Sequence, residues 1–151
     1  ADMEGHAHGR FVAAALAIMG QAQDREAAVL VPVAHAMTDV TGFGLAGHVK
    51  AICEASGLDA ELWQAAIPIY AGAQALSDAG VASTLMLVNR TDAPIEGGAD
   101  ALLYDPQTAG GLLAAVPAKQ SVAVIDALCA TGCMGHVIGQ LTKGNGHVGL
   151  R

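Results

Sequence analysis

Aromatic residues make up only 3% of this 151-residue chain, and Lys and Arg number 7 against 14 Asp and Glu. A net charge of −7, with no basic run and almost nothing to stack on bases, excludes nucleic acid as a partner, because phosphate neutralisation needs clustered Lys and Arg. The same shortage means that any bound phosphate must be held by backbone N–H groups and a metal ion. Long apolar runs are missing too. The longest, around 11–19 and 27–34, are too short to span a bilayer, and the opening residues lack the basic start and cleavage site of a secretory signal. No membrane partner is expected, and the expected location is the cytoplasm. Cysteine is scarce, and three thiols cannot all pair. Cys129 to His136 offers three donors from one end, short of the four of a structural zinc site, so Cys53, Cys129 and Cys133 are expected to be buried free thiols in a reducing compartment. The chain opens Ala1-Asp2-Met3 without an initiator Met, the start expected of a processed chain or of a piece of a longer one.

What the chain does have is small apolar residues. It is 53% hydrophobic, only 14% charged, and carries 19 glycines, a composition that excludes intrinsic disorder and suggests closely approaching backbones and tight turns. Its length suits one domain over 1–151. The periodicity predicts helices over 9–20 and 23–30, a short strand at 34–37, a polar corner at 38–42, and a helix over 44–55 stopped by Gly57. A strand over 58–63 and a short helix within 71–80 follow. Asn89, Asp92, Pro94 and Gly97-Gly98 make 81–100 a long loop. A buried strand at 110–117, a helix over 118–131 opened by Pro117 and a strand from 135 come next. Gly144-Asn145-Gly146 reads as a hairpin turn into a last strand. Helices alternating with strands predict a layered α+β domain, a sheet with helices packed against it.

Gly42-Phe43-Gly44-Leu45-Ala46-Gly47 formally satisfies the dinucleotide-binding pattern G-x-G-x-x-G, with Glu61 about twenty positions beyond its first glycine. The residues before it do not fit. A dinucleotide turn follows a strand that is apolar almost to the first glycine, whereas here Thr38-Asp39-Val40-Thr41 intervenes. A carboxylate about 4 Å from a phosphate costs roughly 4 kcal/mol at an effective dielectric of 20. With Mg²⁺ between them the sign reverses, since that ion takes a carboxylate together with phosphate oxygens. Asp39 therefore suits a metal–nucleotide site, with the start of the following helix on the same side and the Thr38 and Thr41 hydroxyls nearby. Local chemistry also allows Asp39 to cap that helix or close an Asx turn. His48 is expected to pack or lie on the surface, and His35 to be a strand residue without chemistry.

The second unusual stretch is Leu102 to Pro117, LLYDPQTAGGLLAAVP. Pro106 forces Asp105 toward extended backbone, and the Asp105 carboxylate is then placed to accept N–H groups of Gln107 or Thr108. Gly110-Gly111 lets the turn pass close to another backbone or a ligand. The turn is expected to support a site more than to touch substrate.

Together, AMTDVTGFGLAGH and DPQTAGGLL resemble the selenophosphate synthetases, also called selenide, water dikinases, over nearly the whole chain but only over the carboxy-terminal half of that family. The resemblance implies a PurM-type C-terminal domain, a three-layer α/β/α arrangement with a mixed sheet flanked by helices. It implies the reaction of selenide, ATP and water to selenophosphate, AMP and orthophosphate. Asp39 matches a family aspartate that holds Mg²⁺ at the ATP site, and Thr41 and Gly42 beside it are implied as nucleotide phosphate contacts. The implied partner is an N-terminal domain of the same chain, absent here, which carries the reactive Cys or selenocysteine, and the full-length protein is implied to be a homodimer. No catalytic residue is assigned to this chain: Cys53, Cys129 and Cys133 match no catalytic position, and Ala109 stands where the family's turn has Ser. A non-catalytic binding domain on the same scaffold, or another PurM-related ATP-dependent enzyme, is the alternative, with a dinucleotide domain third.

Overall fold

The computed structural model describes residues 5–151. Helix α1 (Gly9–Met19) buries none of its residues fully, and the Phe11 ring packs over Gly72, in the space a Cβ would fill. Helix α2 (Asp24–Leu30) follows. Strand β1 (Ala36–Asp39) starts later than the pattern predicts and runs on through Thr38 and Asp39. The reason is its antiparallel register with β3 (Leu112–Ala115), which pairs Ala36 with Ala115 and Asp39 with Leu112. The predicted polar corner thus begins as strand. Helix α3 (Gly44–Ser56) turns Ala46, Val49 and Cys53 inward and closes on Gly57 at φ +63°, as its spacing predicts.

Strand β2 (Leu58–Leu62) buries Ala60 and Leu62 and is the centre of a mixed sheet, with β4 (Gly139–Lys143) antiparallel on one side and β5 (Val148–Leu150) parallel on the other. The strands thus divide between a two-stranded and a three-stranded sheet, and the mixed sheet flanked by helices is present. The predicted hairpin is not. Gly144 to Gly146 does turn the chain, but β4 and β5 never pair, because β2 lies between them. The turn instead straddles the start of β2: the Gly144 N–H donates to Gly57 O and the Gly146 N–H to Leu58 O.

Two corrections concern helices. Residues 81–100 contain α5 (Met86–Asp92), which the breaker residues hid, besides the short α4 (Ala73–Asp78) before it. Pro117 opens a single 3₁₀ turn, and α6 (Ser121–Ala130) follows with Cys129 on its exposed face, so that thiol is not buried. Cys53 and Cys133 are buried and free, as expected. Burial pushes the Cys53 thiol pKa up, and the Asp59 and Glu54 carboxylates push it the same way, so Cys53 is a neutral packing group.

Helix α3, β2 and the segment 93–104 enclose the larger core, with Val49, Cys53, Leu62, Ile95, Leu103 and Tyr104 at its centre. Each large aliphatic side chain buried there contributes about 1.5–3 kcal/mol. Tyr104 satisfies its buried hydroxyl by accepting the Ile95 N–H at 3.2 Å. A second cluster of Leu30, Val124, Leu128 and Cys133 joins α2 and α6 to the small sheet.

Asp59 ties the straddling turn down. Its Oδ1 accepts the N–H of Asn145 at 2.7 Å and of His147 at 2.9 Å, and these bonds lower the Asp59 pKa. A carboxyl whose pKa is lowered on folding stabilises the fold above its unfolded value, near 3.9, and loses that contribution as pH falls through its folded value. Asp59→Asn is therefore expected to lower the melting temperature at pH 7. The gap to the unsubstituted chain should narrow as pH drops below about 4, in thermal melts run across that range. A gap independent of pH would show that the carboxylate charge contributes nothing.

Candidate functional site

The glycine loop joins β1 to α3, and its backbone is pinned from three directions. From the second motif, the Gly110 N–H donates to Val40 O at 3.1 Å, the Val40 N–H donates to Gly111 O at 2.9 Å, and the Gln107 N–H reaches Thr41 O at 3.0 Å. The two motifs, far apart in sequence, form one unit. Gly110 is required at this approach, since a Cβ there would lie 2.8 Å from Val40 O. From α5, Asn89 donates through Nδ2 both to Gly42 O and to Tyr104 O, each at 2.9 Å. From α3 itself, His48 Nε2 accepts the Thr41 N–H at 2.9 Å. Gly44 opens α3 at φ +66° with its Cα pressed against the 103–104 backbone, where a Cβ would come within 2.8 Å of Leu103 O.

Asp39 stands at the entrance of this loop. Its side chain is exposed, and its carboxylate has no hydrogen-bond or ion-pair partner among the described residues. The N-cap of α3 is Phe43, with no side-chain cap, so Asp39 does not cap the helix, and it closes no Asx turn. The Thr38 hydroxyl donates to the Asp39 carbonyl at 3.0 Å. Thr41 is half-buried, and its hydroxyl lies 3.3 Å from His48 Nε2. Gly42 is exposed, and its N–H has no partner among the described residues, in contrast to the N–H groups of Val40 and Thr41. An open carboxylate and an open backbone donor thus lie three residues apart on a rigid loop. No group of three or more His, Cys, Asp or Glu among the described residues could hold a metal ion. Asp39 fits Mg²⁺ as one oxygen donor of a shared site, since that ion accepts one or two carboxylates and completes its shell with water and phosphate.

Beside the loop, a groove of about 200 Å³ between α3 and α5 is lined by Phe43, Gly47, Lys50, Asn89 and Asp92. A second hollow of about 300 Å³ lies between the sheets, lined by His35 and Ser56 among apolar residues. Asp39 lines neither; its carboxylate is on the open surface at the end of β1.

The second motif supports the loop, though not through the bonds its sequence suggests. The Asp105 carboxylate meets the Gln107 side-chain amide at 3.3 Å, and the Gln107 backbone N–H goes to Thr41 instead. Burial raises the Asp105 pKa, partly offset by the Ser83 backbone N–H. Ala109 holds φ +52°, a left-handed conformation rare outside Gly, Asn and Asp. Asn89 and His48 are the positions that sequence reasoning missed. Nothing local marks Asn89. For His48 a signal existed, because a His one turn into the helix that a loop opens can reach back to that loop.

Strand β1 pairs antiparallel in a two-stranded sheet, unlike the buried parallel strand that precedes a dinucleotide turn. Glu61 lies within β2, accepting from Trp63 Nε1 at 3.2 Å and 3.7 Å from Arg151. Neither is the arrangement a dinucleotide site needs. The glycine loop clamped to a second glycine turn, on a mixed α+β scaffold, agrees with the family match: the AIR synthase related protein, C-terminal domain family covers residues 11–150, and the chain belongs to it. Within that class, similar proteins include selenide, water dikinases. Selenide, water dikinase of Cronobacter sakazakii is 37% identical over 116 residues, covering 74% of this chain and 33% of the relative. The protein of that name from Aeromonas hydrophila is 40% identical over 124 residues, 78% of this chain and 35% of the relative. Selenide, water dikinase 2 of Peptoclostridium acidaminophilum is 35% identical over 107 residues, 66% and 31%. The chain spans about a third of the length of these curated relatives.

Proposed function

We propose that this chain is the C-terminal domain of an ATP-dependent selenophosphate synthetase, converting selenide, ATP and water to selenophosphate, AMP and orthophosphate. The observation that carries this reading is the pinned loop, on which the exposed Asp39 carboxylate and the Gly42 N–H have no partner among the described residues. Phosphoryl transfer depends mainly on positioning and on neutralising charge, and a rigid loop supplies the positioning. Asp39 would hold Mg²⁺ when nucleotide is present, and the ion would supply the positive charge without which a bare carboxylate repels phosphate. The Gly42 N–H donates to a phosphate oxygen, with the Thr41 hydroxyl beside it. The clamps from Asn89, His48 and Gln107 keep these groups aimed before substrate arrives and help keep water from the reacting phosphates.

The reactive nucleophile and most ATP contacts belong to an N-terminal domain outside this sequence, through which the full-length enzyme dimerises. The free thiols suit the reducing cytoplasm. No helix among the described residues is long and apolar enough to cross a membrane. The test is phosphorus NMR of the full-length protein with MgATP and selenide. Selenophosphate, AMP and orthophosphate should accumulate only when selenide is present, while the 151-residue chain alone stays inactive. A full-length protein that binds MgATP but forms no AMP with selenide would leave a binding domain, or a related ATP-dependent enzyme, in place of this reading.

A further inference from the structure

Thr41 immediately precedes Gly42, so its backbone conformation sets the direction of the Gly42 N–H, while Asp39, in β1, is held by its pairing with Leu112. Its N–H points at His48 Nε2 across 2.9 Å, and its hydroxyl lies 3.3 Å from the same nitrogen. A backbone amide can only donate. Nε2 must therefore present a lone pair, which places the single ring proton of neutral His48 on Nδ1. The imidazole is held for this task. It projects from the first turns of α3, next to buried Val49, and its ring centroid is 5.8 Å from that of Phe43 at a tilt of 56°. The geometry closes a short circuit, in which the loop opens the helix and the helix returns a side chain to fix the loop.

We propose that His48, as the neutral Nδ1–H tautomer, is a positioning residue for the Thr41–Gly42 backbone. It acts through Thr41 and touches no substrate. Its functional meaning rests on reading that loop as phosphate-facing; the contact itself does not. Three bonds already hold Val40 and the Thr41 carbonyl from the second motif, and Asn89 holds the Gly42 carbonyl. The Gly44 N–H also donates to Thr41 O, at 3.0 Å, and the Thr41 N–H is a separate connection whose acceptor among the described residues is His48. Without that acceptor the peptide plane between Val40 and Thr41 can tilt, and Gly42, which has the least backbone restraint of any residue type, follows.

The experiment uses the 151-residue chain labelled with ¹⁵N, together with the same substitutions in the full-length protein. At neutral pH the imidazole nitrogens of His48 should show an unprotonated Nε2 and a protonated Nδ1. His48→Ala should speed amide exchange at Thr41 about tenfold, the scale of one lost hydrogen bond, with the amides of β2 unchanged. His48→Gln, whose terminal oxygen comes close to the Nε2 position and can accept, should return Thr41 exchange to within about threefold of the original. In the full-length protein, His48→Ala should raise KM for ATP more than it lowers kcat, and His48→Gln should recover most of the change. An Nε2–H tautomer, or Thr41 exchange indifferent to the loss of the imidazole, would overturn the proposal even in an active enzyme. Conversely, a protein without selenide-dependent activity that still shows the tautomer and the Gln recovery would overturn the phosphate-facing reading and keep the positioning contact.

Discussion

Asp39→Asn in the full-length protein is expected to lower selenide-dependent AMP formation by about 100-fold or more, the scale seen when one preorganised electrostatic partner is removed from a reacting centre. The same change should leave the 151-residue chain as stable as before, within roughly 0.5 kcal/mol, because the carboxylate is exposed and has no partner among the described residues. Its backbone pairing with Leu112 does not depend on the side chain. Thermal melts and an AMP assay on the two proteins separate the effects. The pairing of a large loss in rate with an unchanged melting temperature is what a metal-holding carboxylate requires. Equal activity in the variant would remove Asp39 from the site. A matching loss of stability would assign it a structural task. Raising Mg²⁺ should recover part of the lost activity, because the amide oxygen still coordinates, though without the charge.

Asn89→Ala should have the largest effect on the fold. Asn89 is 6% exposed, and its one amide nitrogen serves two carbonyls, Gly42 O on the glycine loop and Tyr104 O near the start of the second motif. Removing it deletes two hydrogen bonds and leaves both acceptors without a donor, the costlier half of the change when the site is buried. The expected loss is roughly 3 kcal/mol, or about 10 °C in melting temperature for a domain of this size. Asn89→Asp keeps the volume but replaces the donor with an acceptor facing two carbonyl oxygens, so it should be at least as damaging. Circular dichroism melts of both variants check this. A drop under about 1 kcal/mol for Asn89→Ala would mean that water replaces the amide and that the clamp is weaker than its geometry suggests.

How far the sequence carries toward this picture depends on whether a signal is local. Helix α3 is legible because Leu45, Val49, Ile52 and Cys53 repeat at helical spacing and Gly57 supplies the left-handed stop. Strand β2 is legible from its alternation. Helix α5 is not, because Asn89 and Asp92 read as loop residues; the tertiary bonds that make an asparagine useful inside a helix involve Gly42 and Tyr104, which no window around position 89 contains. The turn at 144–146 is legible as a turn, but what pairs across it is decided by β2, more than seventy residues earlier in the chain. Of the site, the order of Asp39, Thr41 and Gly42 and the second glycine turn can be read directly. That the two motifs interlock through Val40 and Thr41, and that His48 faces back onto the loop, follows only from the packing. Cys129 shows the same limit from the other side, since a weakly amphipathic helix leaves its inward face undetermined until its neighbours are known.

The straddling of β2 by β4 and β5 has a consequence for how the polypeptide acquires its shape. A ribosome releases residues 58–62 long before 139–150, so the central strand must wait, with both edges bare, until the chain has been made through residue 150. Helix α3 and the glycine loop can organise early, but the sheet beneath them closes last. Chains that stop short of β5 should therefore be recovered as aggregates and not as slightly shortened domains.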